Sequence, residues 1–255
     1  LQVLNFYQGK IQASNGHILI ESDLPEELNE LSLKVNAEFL YVILKKATSA
    51  DVELNVTDGR LKVSAGKTEA EYAAEEPKKA LTEKLTTRIS IEDLPDFIKG
   101  LEYCSQGVFK DETAGPIAGV KIADDVLWAC DQYRILKWNL KNKTGLNCIV
   151  WPLLAKILNM YKSEITEVYF ENDTFMFVTK EGTTILSSCI SGDYQDLQNL
   201  FPEESSAEVL KLTKDFPVVL ERLVAFLKDV PTNDKEITFN ISKDSGTVLA
   251  QKFGS

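Results

Sequence analysis

Residues 146–162 have the sequence LNCIVWPLLAKILNMYK, which divides into two parts of different character. The first part is an apolar run with the length of a β-strand. Pro152 then stands where a first helical turn tolerates a missing N–H, and Leu153, Ile157 and Met160 follow at helical spacing. The stretch therefore predicts a short strand, a break and an amphipathic helix with these three residues on its apolar stripe.

The same pattern occurs three more times along the chain. The other copies are LSLKVNAEFLYVILKKA (Leu31–Ala47), LTTRISIEDLPDFIKGLEYC (Leu85–Cys104) and EVLKLTKDFPVVLERLVAFLKD (Glu208–Asp229). The four helices are predicted to begin near Asn36, Ile91, Trp151 and Thr213. A unit that recurs about every sixty residues indicates a repeat architecture.

Apolar spacing and capping residues support these helices. The apolar stripe of the first helix is predicted to be Phe39, Leu40, Ile43 and Leu44, and that of the last is Leu220, Leu223, Val224 and Leu227. Asn36, Ser90 and Thr213 are the residue types that cap helix N-termini, so each is predicted to be an N-cap.

Between the helices the sequence alternates between apolar and polar residues, as strands do. Turn dipeptides interrupt this alternation at Asn15-Gly16, Asp58-Gly59 and Asp124-Asp125, which predicts β-hairpins. The fold class is therefore α+β, built from repeated strand–helix–three-strand units. One helix cannot cover such a meander alone, so two units are expected to form each domain and to pair through their helices.

Composition limits the possible functions. The chain of 255 residues is 44% hydrophobic, which is enough for a sizeable core, and its net charge is −11. Because DNA-binding domains usually carry a basic footprint, any contact with DNA must use a local basic surface. The sequence contains no long apolar run or apparent signal peptide, and Cys104, Cys130, Cys148 and Cys189 lack metal-ligand spacing, so a cytoplasmic protein with reduced, buried cysteines is expected.

The sequence contains little that suggests catalysis. His17, the single histidine, follows Asn15-Gly16 in a predicted turn, without a nucleophile partner. No glycine-rich phosphate loop follows a strand, and Asp124-Asp125 fits a hairpin better than a metal site. We expect a protein that is not an enzyme, with no cofactor and no metal. A hydrolase using surface carboxylates is the enzymatic alternative.

Two segments resemble the bacterial β-type DNA sliding clamps, the processivity factors of DNA polymerase III. In Ile117–Trp138, IAGVKIADDVLWACDQYRILKW, the residues ACDQYRI are similar to the family motif Ala-Thr-Asp-Gly-His-Arg-Leu. Further on, SGDYQDLQNLFP, Ser191–Pro202, is similar to the family's linker between the second and third domains. The chain is therefore identified as resembling a divergent bacterial or phage clamp.

The resemblance implies a fold, a function and partners. Clamp helices line the hole of a ring and the sheets lie outside, so the chain is expected to encircle duplex DNA without sequence preference. Expected partners are a replicative DNA polymerase and a clamp loader, which bind through short hydrophobic peptide motifs, and other subunits of the ring. A clamp-fold protein-interaction module that no longer encircles DNA is the alternative.

The resemblance also implies domain boundaries. Residues 1–78 correspond to a first domain lacking its first strand and helix, 79–202 to a complete second domain, and 203–255 to the first half of a third. The sequence favours a piece of a three-domain clamp, with the apolar face Leu220 to Leu227 uncovered and with monomers or loose dimers in solution. In the other arrangement, the C-terminal half of one chain completes the N-terminal half of the next in a stable trimer.

The helices are the least acidic part of the chain. The four predicted helices, taken as residues 36–48, 92–104, 151–162 and 214–229, are together neutral, so the remaining residues carry the whole net charge of −11, although the second helix is itself acidic. A less acidic inner wall inside an acidic ring fits a clamp, because phosphates are attracted without base readout. The cations expected to face DNA are Lys45, Lys46, Lys99, Lys156, Lys162, Arg222 and Lys228.

The family's peptide pocket, carried over by motif, lies beside the linker. Its predicted residues are Ile117, Cys130, Gln132, Tyr133, Arg134, Ile135, Gln195 and Leu200. Gln132 and Tyr133 replace the family's Gly-His, Gln195 replaces its linker proline and Leu197 its tyrosine. These departures concern the detailed shape of the pocket and do not alter the assignment of the fold.

Overall fold

The computed structural model describes residues 3–47, 51–78, 84–200, 213–228, 235–241 and 246–252. The chain forms two compact units, Leu1–Phe201 and Pro202–Ser255. The first unit contains most of the secondary structure.

The N-terminal part of the first unit begins with a three-stranded meander, followed by one strand–helix–three-strand unit. The meander strands are β1 (Val3–Tyr7), β2 (Lys10–Ser14) and β3 (Ile18–Asp23). The repeat that follows consists of β4 (Leu33–Asn36), α1 (Ala37–Lys46), β5 (Val52–Thr57), β6 (Arg60–Ala65) and β7 (Thr68–Ala73).

Two complete repeats follow in the same unit. The first consists of β8 (Arg88–Ile89), α2 (Leu94–Cys104), β9 (Val120–Ala123), β10 (Val126–Cys130) and β11 (Ile135–Asn139). The second consists of β12 (Asn147–Val150), α3 (Pro152–Tyr161), β13 (Ile165–Glu171), β14 (Thr174–Thr179) and β15 (Thr184–Ser188). The predicted repeat is therefore confirmed in three copies, and the strand predicted to open the fourth copy, before Thr213, lies outside the described residues.

The two complete repeats exchange their first strands. Strand β8 pairs with β13 of the other repeat, and β12 pairs with β9. Helices α2 and α3 pack against each other, as the sequence predicted. This exchange ties the two repeats into one α+β domain, with a core built on Phe97, Ile98 and Leu101 of α2 and Leu154 and Leu158 of α3.

One sheet continues from this domain into the N-terminal part. Its strand order is β4-β1-β2-β3-β15-β14-β13-β8, and the junction is the antiparallel pair β3–β15. The two other sheets of the unit have the orders β11-β10-β9-β12 and β5-β6-β7. The three predicted hairpins are confirmed at β2–β3, β5–β6 and β9–β10.

The second unit contains one helix and one hairpin among its described residues. These are α4 (Phe216–Phe226), β16 (Lys235–Ile241) and β17 (Gly246–Lys252). Leu227, at the end of α4, is buried, whereas Val224 is exposed. The expectation that the whole face from Leu220 to Leu227 is uncovered was therefore wrong at Leu227.

Two of the predicted helix starts were wrong by a few residues. Helix α2 begins at Leu94, because Asp93 rather than Ser90 is the N-cap and its Oδ1 accepts the Asp96 N–H at 3.0 Å. Helix α4 begins at Phe216, after Asp215 rather than Thr213. The Asn36 N-cap is confirmed, with its Oδ1 accepting the Glu38 N–H at 2.9 Å.

The predicted apolar stripe of α3 was wrong at one position. Its buried face is formed by Leu154, Ala155, Ile157 and Leu158, whereas Met160 is 77% exposed. Because successive helical residues are turned by about 100°, Met160 lies on the side of the helix opposite this face. Exposed Met160 therefore lies on the same side of α3 as Lys156, four residues before it.

The α1 stripe is half uncovered in the described part of the chain. Leu40 is buried, whereas Phe39 and Leu44 are exposed, and an apolar groove of about 830 Å³ runs between α1, β1, β2 and β5. In the domain formed by the two complete repeats, the corresponding side of α3 is covered by α2.

Candidate functional site

The predicted DNA-facing cations all lie on helices or at the end of one. Lys45 and Lys46 occupy the last turn of α1, and Lys99 lies on α2. Lys156 lies on α3, and Lys162 is the residue at which α3 ends. All five are exposed, as are Arg222 on α4 and Lys228 just after it in the second unit.

Two of these lysines rest on aromatic rings. The Lys45 ammonium lies 5.3 Å from the centre of the Tyr41 ring, and that of Lys99 lies 5.5 Å from the Trp138 ring. Trp138 can approach α2 because residue 100 is glycine, whose missing Cβ would stand 2.6 Å from Trp138 Cδ1. Cation–π contacts of this kind hold a lysine near the helix surface without neutralising its charge.

Among the described residues, none of the seven predicted cations forms an ion pair with an acid. The ion pairs found in the described part of the chain involve other cations, most of which lie on strands or in the loops beside strands. They are Lys10, Lys34, Arg60, Lys62, Arg88, Arg134, Lys141 and Lys143. A phosphate approaching the helices would therefore displace no carboxylate there.

The acids at the start of α2 are engaged locally. The Asp93 carboxylate pairs with the Lys141 ammonium at 2.8 Å, and the Lys141 side chain, together with the Asp96 N–H, lowers the pKa of Asp93. Asp96 Oδ2 also accepts the Lys141 backbone N–H at 3.3 Å. Asp93 thus caps the N-terminus of the second predicted helix, where negative charge is favourable.

Three residues of the predicted peptide pocket lie in one small apolar cluster. Cys130 is buried there, and Ile117 and Ile135 pack around it. The centre of the cluster also contains Trp128 and Leu197. Trp128 and Cys130 alternate along β10 with residues that face the main core, so the cluster lies on the opposite face of that strand.

The turn after β10 is rigidly held by one carboxylate. Asp131 accepts hydrogen bonds from the backbone N–H groups of Tyr133 and Arg134 at 2.8 and 2.7 Å, and its other oxygen binds the Arg134 guanidinium. That guanidinium also donates to the Gln106 carbonyl at 3.2 Å. Gln132 and Tyr133 project outward from this turn, and Tyr133 is 90% exposed.

We predict that Asp131→Asn lowers stability by about 1 kcal/mol at neutral pH, because it removes charge-assisted hydrogen bonds. The Tyr133 N–H, aided by Arg134, lowers the pKa of Asp131 below its ordinary value of 3.8. A carboxylate whose pKa is lowered by folding stabilises the folded state at pH values above its ordinary pKa. That stabilisation is lost as the pH falls towards the pKa of the folded state. Urea titrations at several pH values should show that the variant has a lower free energy of unfolding than the unaltered protein above about pH 5. This difference should shrink below about pH 4. A difference that grew on acidification would contradict this account.

The other two predicted pocket residues, Gln195 and Leu200, lie in the segment after β15. Both are exposed, and Leu200 is 56% exposed. Sequence reasoning missed Trp128 and Tyr194 as members of the cluster and noted Leu197 only as a departure from the family motif. The alternation of β10, which places residues 128 and 130 on one face, could have identified Trp128.

The residues that could suggest catalysis have structural contacts. His17 stacks on Trp151 with ring centres 4.0 Å apart. Cys104, Cys130 and Cys148 are buried and are not in disulfide bonds, and burial raises the pKa of the Cys104 thiol to about 12. Within the described residues no group of three potential ligands is placed to hold a metal ion. No helix in the same residues has the length and hydrophobicity needed to span a bilayer.

Comparison with known proteins gives different results for sequence and structure. No protein-family model and no curated protein matches the sequence. Among solved structures, a sliding clamp of Bartonella birtlesii (DNA polymerase III subunit beta, bound to griselimycin) matches with a TM-score of 0.70 and 14% identity, covering 98% of this chain and 75% of that one. The chain has the sliding-clamp fold.

Other clamp structures match over the same extent. The DNA polymerase III beta subunit of Thermotoga maritima has a TM-score of 0.66 and 15% identity, and covers 98% of this chain and 75% of its own. The DNA polymerase III beta chain of Streptococcus pneumoniae has a TM-score of 0.64 and 14% identity, and the match covers 99% of this chain and 75% of that one. The clamp fold assigned from two short motifs and a repeat is therefore confirmed.

Proposed function

We propose that the protein is a subunit of a DNA sliding clamp, which encircles duplex DNA and tethers a replicative polymerase for processive synthesis. The observation that carries this proposal is the clamp fold over nearly the whole chain, with exposed cations on its helices that form no ion pair with a described acid. No catalytic chemistry and no cofactor are part of the proposed role.

The charge distribution suits a sliding contact. Lysines that no described acid neutralises attract phosphates, while a body with a net charge of −11 disfavours binding elsewhere on its surface. Phosphate contacts carry no sequence information, so the ring can move along the duplex. The seven helix cations are proposed to face DNA.

The partners follow from the same proposal. The polymerase and the clamp loader would each insert a short hydrophobic peptide at the surface formed by the Asp131 turn and the segment after β15. Copies of the chain would associate into a ring, working in the cytoplasm. The division into residues 1–78, 79–202 and 203–255 as successive clamp domains is part of this proposal.

DNA binding by the full-length protein tests the electrostatic part of the proposal. We expect duplexes of equal length and unrelated sequence to compete equally in fluorescence anisotropy. The affinity should fall steeply as salt is raised, because bound phosphates release counterions. A preferred sequence, or an affinity that does not respond to salt, would contradict a sliding contact.

A further inference from the structure

The segment after β15 is fastened to β10 by one buried side chain. Leu197 is only 3% exposed, and it covers Trp128 and Cys130 on the face of β10 that points away from the main core. Trp128 and Cys130 are themselves 8% and 6% exposed. A leucine from a connecting segment thus completes a small apolar cluster that is separate from the main core.

Two neighbouring contacts fix the approach of this segment. The Tyr194 hydroxyl lies 3.5 Å from the Gly119 carbonyl oxygen, to which it donates, and 3.7 Å from Cys130 Sγ. Gly192 passes so close to Pro116 that an added Cβ would stand 2.9 Å from the proline ring. The path of the chain into Leu197 is therefore restricted by packing.

The residues after Leu197 form a single helical turn that starts at its carbonyl group. The Leu200 N–H donates to the Leu197 carbonyl at 3.1 Å. Asp196 caps the turn, with its Oδ1 accepting the Gln198 N–H at 3.0 Å and its Oδ2 accepting from the Asn199 side chain at 2.9 Å. Leu200 is thereby held with its side chain exposed, within one turn of the buried anchor.

We propose that Leu197 is the positioning residue of the partner-peptide site. Seated on Trp128 and Cys130, it fixes the segment before it, which carries Gln195, and the turn after it, which presents Leu200, for contact with a hydrophobic peptide. The inference rests on the proposed function, because it takes the peptide site as given and assigns the residue that orders it.

The physical reason is preorganisation. If the anchor is lost, the segment must be ordered when the peptide binds, and the loss of its conformational freedom then opposes binding. Because Leu197 belongs to a small cluster apart from the main core, its truncation should loosen this segment while α2, α3 and the sheets stay packed. We expect Leu197→Ala to weaken peptide binding about tenfold or more.

The test uses the full-length protein and a fluorescein-labelled peptide with the C-terminal sequence of the replicative polymerase from the same genome. Leu197→Ala should raise the Kd measured by anisotropy, and Leu197→Met, which keeps the volume, should restore it. Leu186→Ala is the matched control, because Leu186 is 8% exposed in another small apolar cluster, with Leu85 and Met176. The control should leave the Kd unchanged.

Hydrogen exchange provides a readout that general destabilisation would not reproduce. In Leu197→Ala the Leu200 amide should exchange faster, while the amides of α2 and α3 keep their protection. If alanine prevents folding, Leu197→Val should give a smaller change in both measurements in the same direction.

Unaltered peptide binding by Leu197→Ala, or an equal loss in Leu186→Ala, would overturn the positioning role. Failure of the unaltered protein to bind the peptide would overturn the pocket and the positioning role together. DNA binding, measured separately in the same samples, then shows whether the proposed clamp function fails as well.

Discussion

Replacing Lys45, Lys46, Lys156 and Lys162 together by glutamate is expected to abolish retention of the full-length protein on circular duplex DNA. These lysines are exposed at the ends or on the free side of α1 and α3. Each replacement exchanges an attractive contact with phosphate for a repulsive one. Retention should be measured by gel filtration of the loaded complex at moderate salt.

The salt dependence gives the size of the effect. Log affinity falls with log salt concentration, and each phosphate contact adds about 0.9 to the steepness of that fall. Losing four contacts should therefore make the slope shallower by about 3 to 4. The side chains are not part of the apolar core, so circular dichroism and thermal unfolding should be nearly unchanged. The loss would then belong to the interaction and not to the fold.

The matched control makes the same charge change away from the helices. Its sites are exposed lysines that lie outside the helices and outside the ion pairs of the described residues: Lys67, Lys84, Lys110 and Lys180. This fourfold glutamate variant should stay on circular DNA much longer than the helix variant. Equal loss in both variants would mean that net charge alone matters, and unchanged retention in the helix variant would exclude the proposed inner face.

Leu200→Asp is expected to weaken binding of the polymerase peptide by a factor of 100 or more. Leu200 is 56% exposed in the unbound chain, so an aspartate there remains hydrated and leaves folding intact. When an apolar peptide covers the site, the carboxylate loses water without gaining a partner, which costs a few kcal/mol. By the relation between free energy and Kd, about 3 kcal/mol corresponds to a factor above 100.

A second aspartate variant controls for the added charge. Val56→Asp changes another exposed apolar residue, on β5, and should leave peptide binding and stability near their original values. Leu200→Asn should give an intermediate loss, since it adds polarity without charge. A folded Leu200→Asp protein that binds the peptide normally would place the pocket elsewhere.

The sequence predicted the repeat and its hairpins because these depend on local chemistry. Asp58 and Gly59 both have positive φ, the conformation that the turn between β5 and β6 requires, and Asp-Gly is a preferred pair for it. The pairing of α2 with α3 followed from a general need to cover apolar faces. Such features can be derived from short stretches of residues.

Other features depend on contacts that a linear sequence does not specify. Met160 fits an apolar stripe by spacing, but the side of α3 that α2 and the sheets cover is centred on Leu154 and Leu158. Tertiary partners similarly decide which of several acceptable N-cap residues begins a helix. Asp93, the N-cap of α2, has such a partner in Lys141. The packing of Leu197 on Trp128 joins residues far apart in sequence, and no local pattern predicts it.

Release on linearisation is the measurement that tests the proposed function most directly. The full-length protein is loaded onto closed circular duplex DNA by a clamp loader and washed with high salt, and the DNA is then cut once with a restriction enzyme. A ring that encircles DNA should survive the wash and leave within minutes of cutting, because its hold is topological. Loss during the wash, or equal retention before and after cutting, would contradict a sliding clamp and would favour a clamp-fold protein that acts only by binding other proteins.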